Sequence, residues 1–386
     1  MIAVIADDFT GAAELGGIGL RYGMSVEIVT EVSKKENVDL LVVSSDSRTL
    51  SAEKAHEKII KITKELIKIG VEWIYKKTDS VMRGQIFPEL KAVYKASGMK
   101  KVMCNPANPT LGRTISDGTY YIKGKFLHET GFAEIPGFDF TSSNVLELLR
   151  PDKSMKSAFV KLNDEIPEDT ICIGEASSFY DLKEWAKQID QNILPAGAAD
   201  FFTAMLEEKG HKINVNSIDQ NIELGKTALF VFGSAYIKSR NFITEATKRG
   251  CSVCAIPIEL FNNHAKPEKY LDQWAQEVIN EFKHSSKVIV AINQPIIKLD
   301  SFSSQLREYT AAIVKKVLKE VDINELFIEG GATVSSVIRM IKLKKFTPEH
   351  ELAHGVVRMK VEGIPKLNLT IKPGSYKWPD KVFNFM

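Results

Sequence analysis

At 386 residues the chain exceeds one ordinary core, because domains run to about 100–200 residues, so two domains are expected. Hydrophobic residues make up 44%, which argues against a disordered chain. The 51 basic and 49 acidic side chains leave a formal charge of +2, which gives neither nucleic acid nor an anionic membrane surface a footing as partner.

The N-terminal MIAVIADD reads as a short strand meeting two aspartates. It lacks the basic leader, long apolar region and cleavage site of a signal peptide. No apolar run approaches the roughly 18 residues of a membrane span, and four cysteines in a chain this size fit a reducing compartment, so a cytoplasmic location is expected. Along the first half, short apolar runs alternate with amphipathic helices. IAVIA (2–6) ends in DDFTGA, VEIVT (26–30) follows Gly23, and LLVVS (40–44) ends in SDSR. A helix capped by Ser51 follows, with Ile59, Ile62, Leu66 and Ile69 at three- and four-residue steps, the mark of one buried face. WIYK (73–76) then ends in KTDSVMRG and KVMCN (101–105) in PANP. TICIGEA (170–176) leads to a helix carrying Leu182 and Trp185, and LPAGAADFFTAMLEEKG (194–210) reads as a turn followed by a helix. The polar stretch 208–226 reads as a linker, dividing residues 1–215 from residues 216–386. Beyond it come ALFVFG (228–233), SVCAIPI (252–258), KVIVAI (287–292) and LFIE (326–329), the last entering a helix through GGAT. VVRMKVEG and LNLTIKPGSY read as antiparallel strands. The alternation predicts an α/β fold: two domains, each with a mostly parallel sheet flanked by helices, and an active site in the cleft between them.

In open α/β sheets ligands bind beyond the carboxyl ends of the strands. Unusual polar residues gather there in the first half: Asp7 and Asp8, Asp46 and Arg48, then Lys77, Thr78, Asp79, Ser80 and Arg83. Any one of them reads equally as solvated, but three loops with carboxylates beside cations point to a site. Arg48 and Arg83 suit a carboxylate, which guanidinium matches bidentately. Lys77 suits the same anion or a transferring phosphoryl group, and Asp8 or Asp79 suits acceptance of a hydroxyl proton. In the second half, LFIEGGATVSSVIRMI runs a strand into Gly330-Gly331 with a helix starting near Thr333. Glycines allow close backbone approach and a helix N-terminus offers free N–H groups, so the turn is either a phosphate cradle or a tight connection with a threonine cap. Gly233-Ser234 is a weaker signal of the same kind, and Gly374 in KPGSY admits a ligand or makes a turn. No P-loop pattern exists, and Gly17, Gly19 and Gly23 have the wrong spacing for a dinucleotide fingerprint. Cys251 and Cys254 form a C-x-x-C on a strand pattern, outside the context of a redox pair.

Together, ADDFTGA, SDSR, KKTDSVMRG, GGAT and KPGSY resemble the four-carbon acid sugar kinase family over nearly the whole chain and in the same order. NPANPTLGRTISDGTYYIKG (105–124) is similar to that family's proline- and glycine-rich middle. The resemblance implies an N-terminal domain that binds a small-molecule sugar acid and a C-terminal domain that binds ATP. It implies transfer of phosphate, with Mg2+, to the terminal hydroxyl of a threonate, erythronate or oxo-tetronate. By position, Asp7, Asp8, Arg48, Lys77, Thr78, Asp79, Ser80, Arg83 and Gly84 are implied at the substrate. Among these, Asp8, Asp79 and Lys77 are the catalytic candidates. Ser234, Gly330, Gly331, Ala332, Thr333 and Gly374 are implied at the nucleotide. A homodimer is one assembly open to such a chain. The second half departs from the family's pattern: Ala332 stands where an acid is usual, Tyr236 where a second serine is, and Lys377 where a glycine is. Those departures carry the second reading, a sugar-acid-binding protein of this fold that has lost phosphoryl transfer.

A third reading, a zinc hydrolase, rests on His350-Glu351-Leu352-Ala353-His354, which matches H-E-x-x-H. TPEHELAHG reads as a brief helix with Thr347 as cap, Pro348 at its first position and Gly355 past its end. Such sites need a third protein ligand, and the position where an extended zincin pattern puts a histidine is Lys360.

Overall fold

Apolar runs of four or five residues form most strands of the main sheet in the first of two units, Met1–Asn214 and Val215–Met386. The structure is a computed structural model and describes residues 1–33, 37–133, 140–214, 222–233, 237–261, 267–292, 303–374 and 376–385. Part of the expected linker, 215–221, lies outside them, as do Ser234 and Tyr236.

The strands of the first unit are β1 (Ile2–Ala6), β2 (Val26–Val29), β3 (Leu40–Ser44), β4 (Trp73–Lys77), β5 (Lys101–Asn105), β6 (Arg113–Ser116), β7 (Thr119–Ile122), β8 (Lys125–Phe126), β9 (Lys156–Val160), β10 (Thr170–Gly174) and β11 (Ile193–Gly197). Its main sheet runs β2-β3-β1-β4-β11-β5-β10-β9, every pair parallel. β1, β3, β10 and β11 are buried along their whole length, as strands covered by helices on both faces must be. The helices are α1 (Phe9–Arg21), α2 (Ala52–Lys68), α3 (Ile86–Ser97), α4 (Val145–Leu149), α5 (Phe179–Lys187) and α6 (Ala199–Glu208). In α2 the Ser51 hydroxyl accepts the Lys54 N–H at 3.4 Å. The stripe Ala55, Ile59, Ile62 and Leu66 is buried, with each large side chain contributing about 1.5–3 kcal/mol. Gly19 serves packing: a Cβ there would lie 2.6 Å from Leu40 and 2.9 Å from Val26, so only glycine lets α1 lie this close to β2 and β3.

Two features of this unit differ from the sequence reading. The start of 194–210, expected as a turn before the helix, belongs to β11, with Pro195 inside it. β11 meets β4 only at Ala196 and Gly197, so the missing proline donor leaves no gap in that ladder. Residues 113–126, not expected to be strands, form the small antiparallel sheet β6-β7-β8.

In the second unit, β12 (Ala228–Phe232), β13 (Ser252–Ala255), β14 (Lys287–Ala291), β15 (Glu325–Glu329), β16 (Lys345–Ala353), β17 (Val356–Val361) and β18 (Asn368–Lys372) order as β13-β14-β12-β15-β18-β17-β16. Pairing is parallel from β13 to β18 and antiparallel from β18 to β16. The helices are α7 (Ile237–Lys248), α8 (Pro267–Glu281), α9 (Ser303–Glu320), α10 (Gly331–Ile341) and α11 (Asp380–Phe385). Phe230 and Phe327 stack at 4.5 Å in the core, with Trp378 edge-on to Phe327 at 5.9 Å. No described helix is long and apolar enough to cross a membrane.

The H-E-x-x-H segment forms the end of strand β16, with His354 in the turn just past it, rather than the expected helix, and the ladder of β16 with β17 is irregular between Pro348 and His350 and between Glu351 and Ala353. The helical spacing that puts both histidines on one metal is therefore lost. His354 stacks on Tyr376 at 5.8 Å, while burial and then the Arg358 charge lower the pKa of His350. Among the described residues no group of three or more His, Cys, Asp or Glu side chains is placed to hold a metal. The C-x-x-C sits at β13, where burial pushes the Cys254 thiol up to about 12, far from a reactive thiolate.

Candidate active site

The strand order of the first unit reverses around β1, which lies between β3 and β4. The loops leaving these three neighbours at their carboxyl ends are 7–8, 45–48 and 78–84, the position where doubly wound sheets bind ligands. Arg48 is their hub. Its Nε and Nη2 donate to Asp7 at 2.6 and 3.1 Å, Nη1 lies 2.7 Å from Asp8 Oδ2, and Nη2 lies 3.4 Å from Asp79 Oδ2. Gly84, at φ 87°, lies against it: a Cβ there would be 3.0 Å from Arg48 Cγ, so the left-handed backbone and the close approach both require glycine.

Asp8 is also the N-cap of α1, accepting from Gly11 N at 2.8 Å and from the Thr10 hydroxyl at 2.7 Å. Asp79 shapes its own loop. It accepts from Val81 N (3.0 Å), Arg83 N (3.2 Å), Arg83 Nε (3.0 Å) and Arg83 Nη2 (2.6 Å). Those bonds hold Met82 at φ 61°, a strained value for a side chain of that size. Burial alone would raise the carboxyls of Asp7 and Asp79. The Arg48 charge and hydrogen bonds outweigh it at Asp7, and Arg83 with Arg48 at Asp79, so both lie below the usual range. Burial likewise opposes the charge on Arg48, but Asp7, Asp8 and Asp79 outweigh it and hold its proton more tightly.

Lys77 Nζ lies 3.4 Å from Glu14 and donates to Thr78 O at 2.9 Å. Beneath it, Lys76 is fully buried against Glu89 at 2.7 Å, and Glu89 accepts the Ser47 hydroxyl at 2.6 Å. That pair fixes the 45–48 loop from below. The small sheet adds residues that the sequence reading passed over. Arg113 donates to the Ser80 hydroxyl, and the Tyr120 hydroxyl donates to Ser80 O and, at 3.2 Å, to Pro106 O. Asp200 accepts from Thr110 N and Oγ1 at 2.9 and 2.8 Å, pinning the same segment to α6. The signal for Arg113 and Tyr120 was their place within the motif-like stretch 105–124.

In the second unit, the predicted Gly330 sits at φ 93° and Gly331 opens α10, whose N-terminus has no side-chain cap. The Thr333 cap considered from sequence does not form; Thr333 is buried and packs under Gly233. The first-turn N–H groups therefore suit an anion, the chemistry of a nucleotide phosphate. Ala332 and Lys377 are exposed. Gly330 N donates to Lys372 O at 2.9 Å, joining this turn to the end of β18. Lys372 Nζ pairs with buried Glu329 at 3.2 Å and donates to the carbonyls of Pro373 (2.9 Å), Gly374 (3.4 Å) and Tyr376 (2.8 Å), so it shapes the KPGSY turn from inside. Ser234 lies outside the described residues.

Comparison with known proteins agrees with this division. Residues 2–199 match a family model described as a sugar-binding N-terminal domain, and residues 229–376 one described as a nucleotide-binding C-terminal domain. The chain is 24% identical to a 3-oxo-tetronate kinase of Haemophilus influenzae, over 97% of each chain. It is 22% identical to one of Brucella melitensis, over 97% of this chain and 92% of that one. A D-threonate kinase of Salmonella typhimurium is 33% identical, but over only 38% of this chain and 35% of its own length. A solved structure from Salmonella typhimurium superposes with a TM-score of 0.76 at 18% identity, covering 100% of this chain and 97% of the other. One from Haemophilus influenzae gives 0.70 at 21%, covering 99% and 98%, and both carry the fold alone. With the first family model spanning just over half of its length and the second most of the remainder, the chain belongs to the four-carbon acid sugar kinase family.

Proposed function

We propose that the protein is an ATP-dependent kinase that phosphorylates the terminal hydroxyl of a four-carbon sugar acid of the threonate, erythronate or oxo-tetronate type. The observation that carries the reading is the Asp7–Asp8–Arg48–Asp79–Lys77 cluster at the carboxyl ends of β1, β3 and β4. In the same chain, an uncapped glycine turn opens a helix in the part that matches a nucleotide-binding family.

Phosphoryl transfer asks a protein for positioning and charge neutralisation more than for covalent chemistry. When bound, ATP supplies the phosphoryl group and Mg2+ neutralises charge on its oxygens. The Gly330–Thr333 backbone, with Gly374 and Ser234, would hold the phosphates. In the first unit Lys77 is the point charge toward the anion, Ser80, Thr78, Arg83 and Gly84 frame the acid, and a carboxylate orients the hydroxyl and accepts its proton. Lone-pair accounting favours Asp8 for that last role. A carboxylate has about four acceptor sites. Asp79 already meets five N–H groups, whereas Asp8 meets Gly11 N, the Thr10 hydroxyl and Arg48.

ADP release, screened over four-carbon acids with ATP and Mg2+, tests the proposal. Turnover with at least one acid is expected, and none with any of them at high purity would overturn it. The departures at Ala332, Tyr236 and Lys377 favour one rival, a sugar-acid-binding protein without transfer. Stabilisation in a thermal melt by sugar acids but not by ATP–Mg2+ would select it.

A further inference from the structure

Around the 78–84 loop, each cation but one faces an acid. Arg48 faces three aspartates, Arg83 faces Asp79, Lys77 faces Glu14 and Lys76 faces Glu89. Arg113 is the exception. It is 8% exposed, and among the described residues it makes no ion pair. Its Nη1 donates to the Ser80 hydroxyl and its guanidinium lies 5.3 Å from the centre of the Phe132 ring. Among the described residues, burial leaves this guanidinium with a hydroxyl and a ring face for company, a costly state unless an anion completes it. No acceptor among the described residues is matched to Arg113 Nε or Nη2, and neither belongs to the fully buried, partnerless nitrogens.

The backbone holds this side chain in place. Arg113 exchanges two backbone hydrogen bonds with Asn108, at 2.8 and 3.1 Å, and Tyr120 on the neighbouring strand fastens the small sheet to Ser80 O. We infer that Arg113 takes the carboxylate of the sugar acid, the Nε–Nη2 edge left open by the Ser80 bond offering two parallel N–H groups to its two oxygens. The identity of the acid rests on the kinase reading. The inference moves the carboxylate from Arg48, whose nitrogens already face Asp7, Asp8 and Asp79, to a cation that meets no acid among the described residues. It leaves Arg48 to set the spacing of the aspartates.

The test compares a four-carbon acid with the tetritol of the same carbon skeleton, which has a hydroxymethyl group in place of the carboxylate. Binding to the full chain is measured by calorimetry and turnover by ADP release. Arg113→Gln is expected to weaken acid binding roughly 10- to 100-fold, and to leave tetritol binding within about twofold. If wild type holds no tetritol, the carboxylate is the anchor, and the Gln variant must then lose the acid. An Arg113→Gln chain that keeps wild-type affinity for the acid, or loses acid and tetritol equally as a mere brace would, overturns the inference. Should the Gln variant not fold, Arg113→Lys carries the test: it keeps the charge without the fork, so acid binding falls several-fold while tetritol binding holds. Wild-type acid affinity in the folded Lys variant overturns the inference as well. Wild type that binds the acid but releases no ADP sinks the kinase reading alone and leaves Arg113 to be judged on the binding ratio. Wild type that binds no four-carbon acid sinks both.

Discussion

Asp8 and Asp79 are two carboxylates of one cluster with different work to do, and substitution by asparagine separates them. At position 8, asparagine caps a helix about as well as aspartate, so Asp8→Asn removes charge and leaves the start of α1 intact. The expected outcome is a kcat at least about 100-fold lower with a modest change in KM, read from steady-state ADP release. At position 79, asparagine cannot replace the acceptors that hold Arg83 and the Val81 and Arg83 amides, so the loop loosens and the effect falls on stability and KM. The pH dependence supplies the second readout. The pKa of Asp79 is depressed in the folded chain, against burial, by Arg83 and Arg48. Its carboxylate therefore contributes stability above its unfolded value of about 3.9, and loses that contribution as pH falls through the folded value. The difference in unfolding free energy between wild type and Asp79→Asn is expected to stay level from about pH 8 to about pH 5 and to shrink only below about pH 4. Wild-type kcat in both variants would remove both carboxylates from the chemistry.

At the scale of elements, what could be read from the sequence was whatever packing dictates directly. Fully buried parallel strands must be apolar throughout and must end where the chain turns to water. IAVIA, LLVVS, TICIG and ALFVF therefore announce themselves, and the polar ends of the first two mark the loops that carry Asp7, Asp8 and Arg48. Elements set by tertiary pairing gave no such sign. β6 and β7 are four residues long and alternate buried with partly buried residues, so neither forms an apolar run, and Arg113 and Tyr120 went unread with them. Pro195 disguised β11, and the i, i+4 histidines with Pro348 disguised β16, whose form comes from pairing with β17. The ion pairs Lys76–Glu89 and Glu329–Lys372 join residues 13 and 43 positions apart, a separation that no local pattern reports. One element-level prediction follows from the start of α10. A Cβ on Gly233 would fall 1.9 Å from Thr333 Oγ1 and 2.9 Å from Thr333 Cβ, so a side chain there must push the first turn of the helix aside. Gly233→Ala is expected to cost about 1–3 kcal/mol in denaturant unfolding, and to raise KM for ATP roughly 10-fold through the displaced N–H groups. The affinity for the sugar acid should stay within about twofold, and an unchanged KM for ATP would detach this turn from the nucleotide.

For the whole molecule, the division of labour between residues 1–214 and 215–386 makes a claim about where each ligand is felt. A ligand that binds only the native state stabilises it by about 2.7 kcal/mol at 100 times its Kd. In amide exchange that gain appears first in the segments that touch it, because local openings there now cost the binding energy as well. With the full chain and the sugar acid alone, slowed exchange is expected at residues 78–84 and 105–113, and little change at 330–334 and 372–374. With ATP–Mg2+ alone, the pattern should invert. The amides of Gly331, Ala332 and Thr333 should respond most, because the uncapped start of α10 leaves them without side-chain partners. Their response also decides the weight of the departures at positions 332 and 377. Both side chains are exposed, whereas a cradle made of backbone N–H groups depends on the left-handed Gly330 and on the anchoring of Lys372 inside the KPGSY turn. Protection by ATP–Mg2+ at 330–334 would mean that the backbone suffices without the acid usual at position 332. Protection by sugar acids at 78–84 with none by nucleotide anywhere would mean that it does not, and the chain would then be a binder of sugar acids that keeps the kinase fold without its transfer.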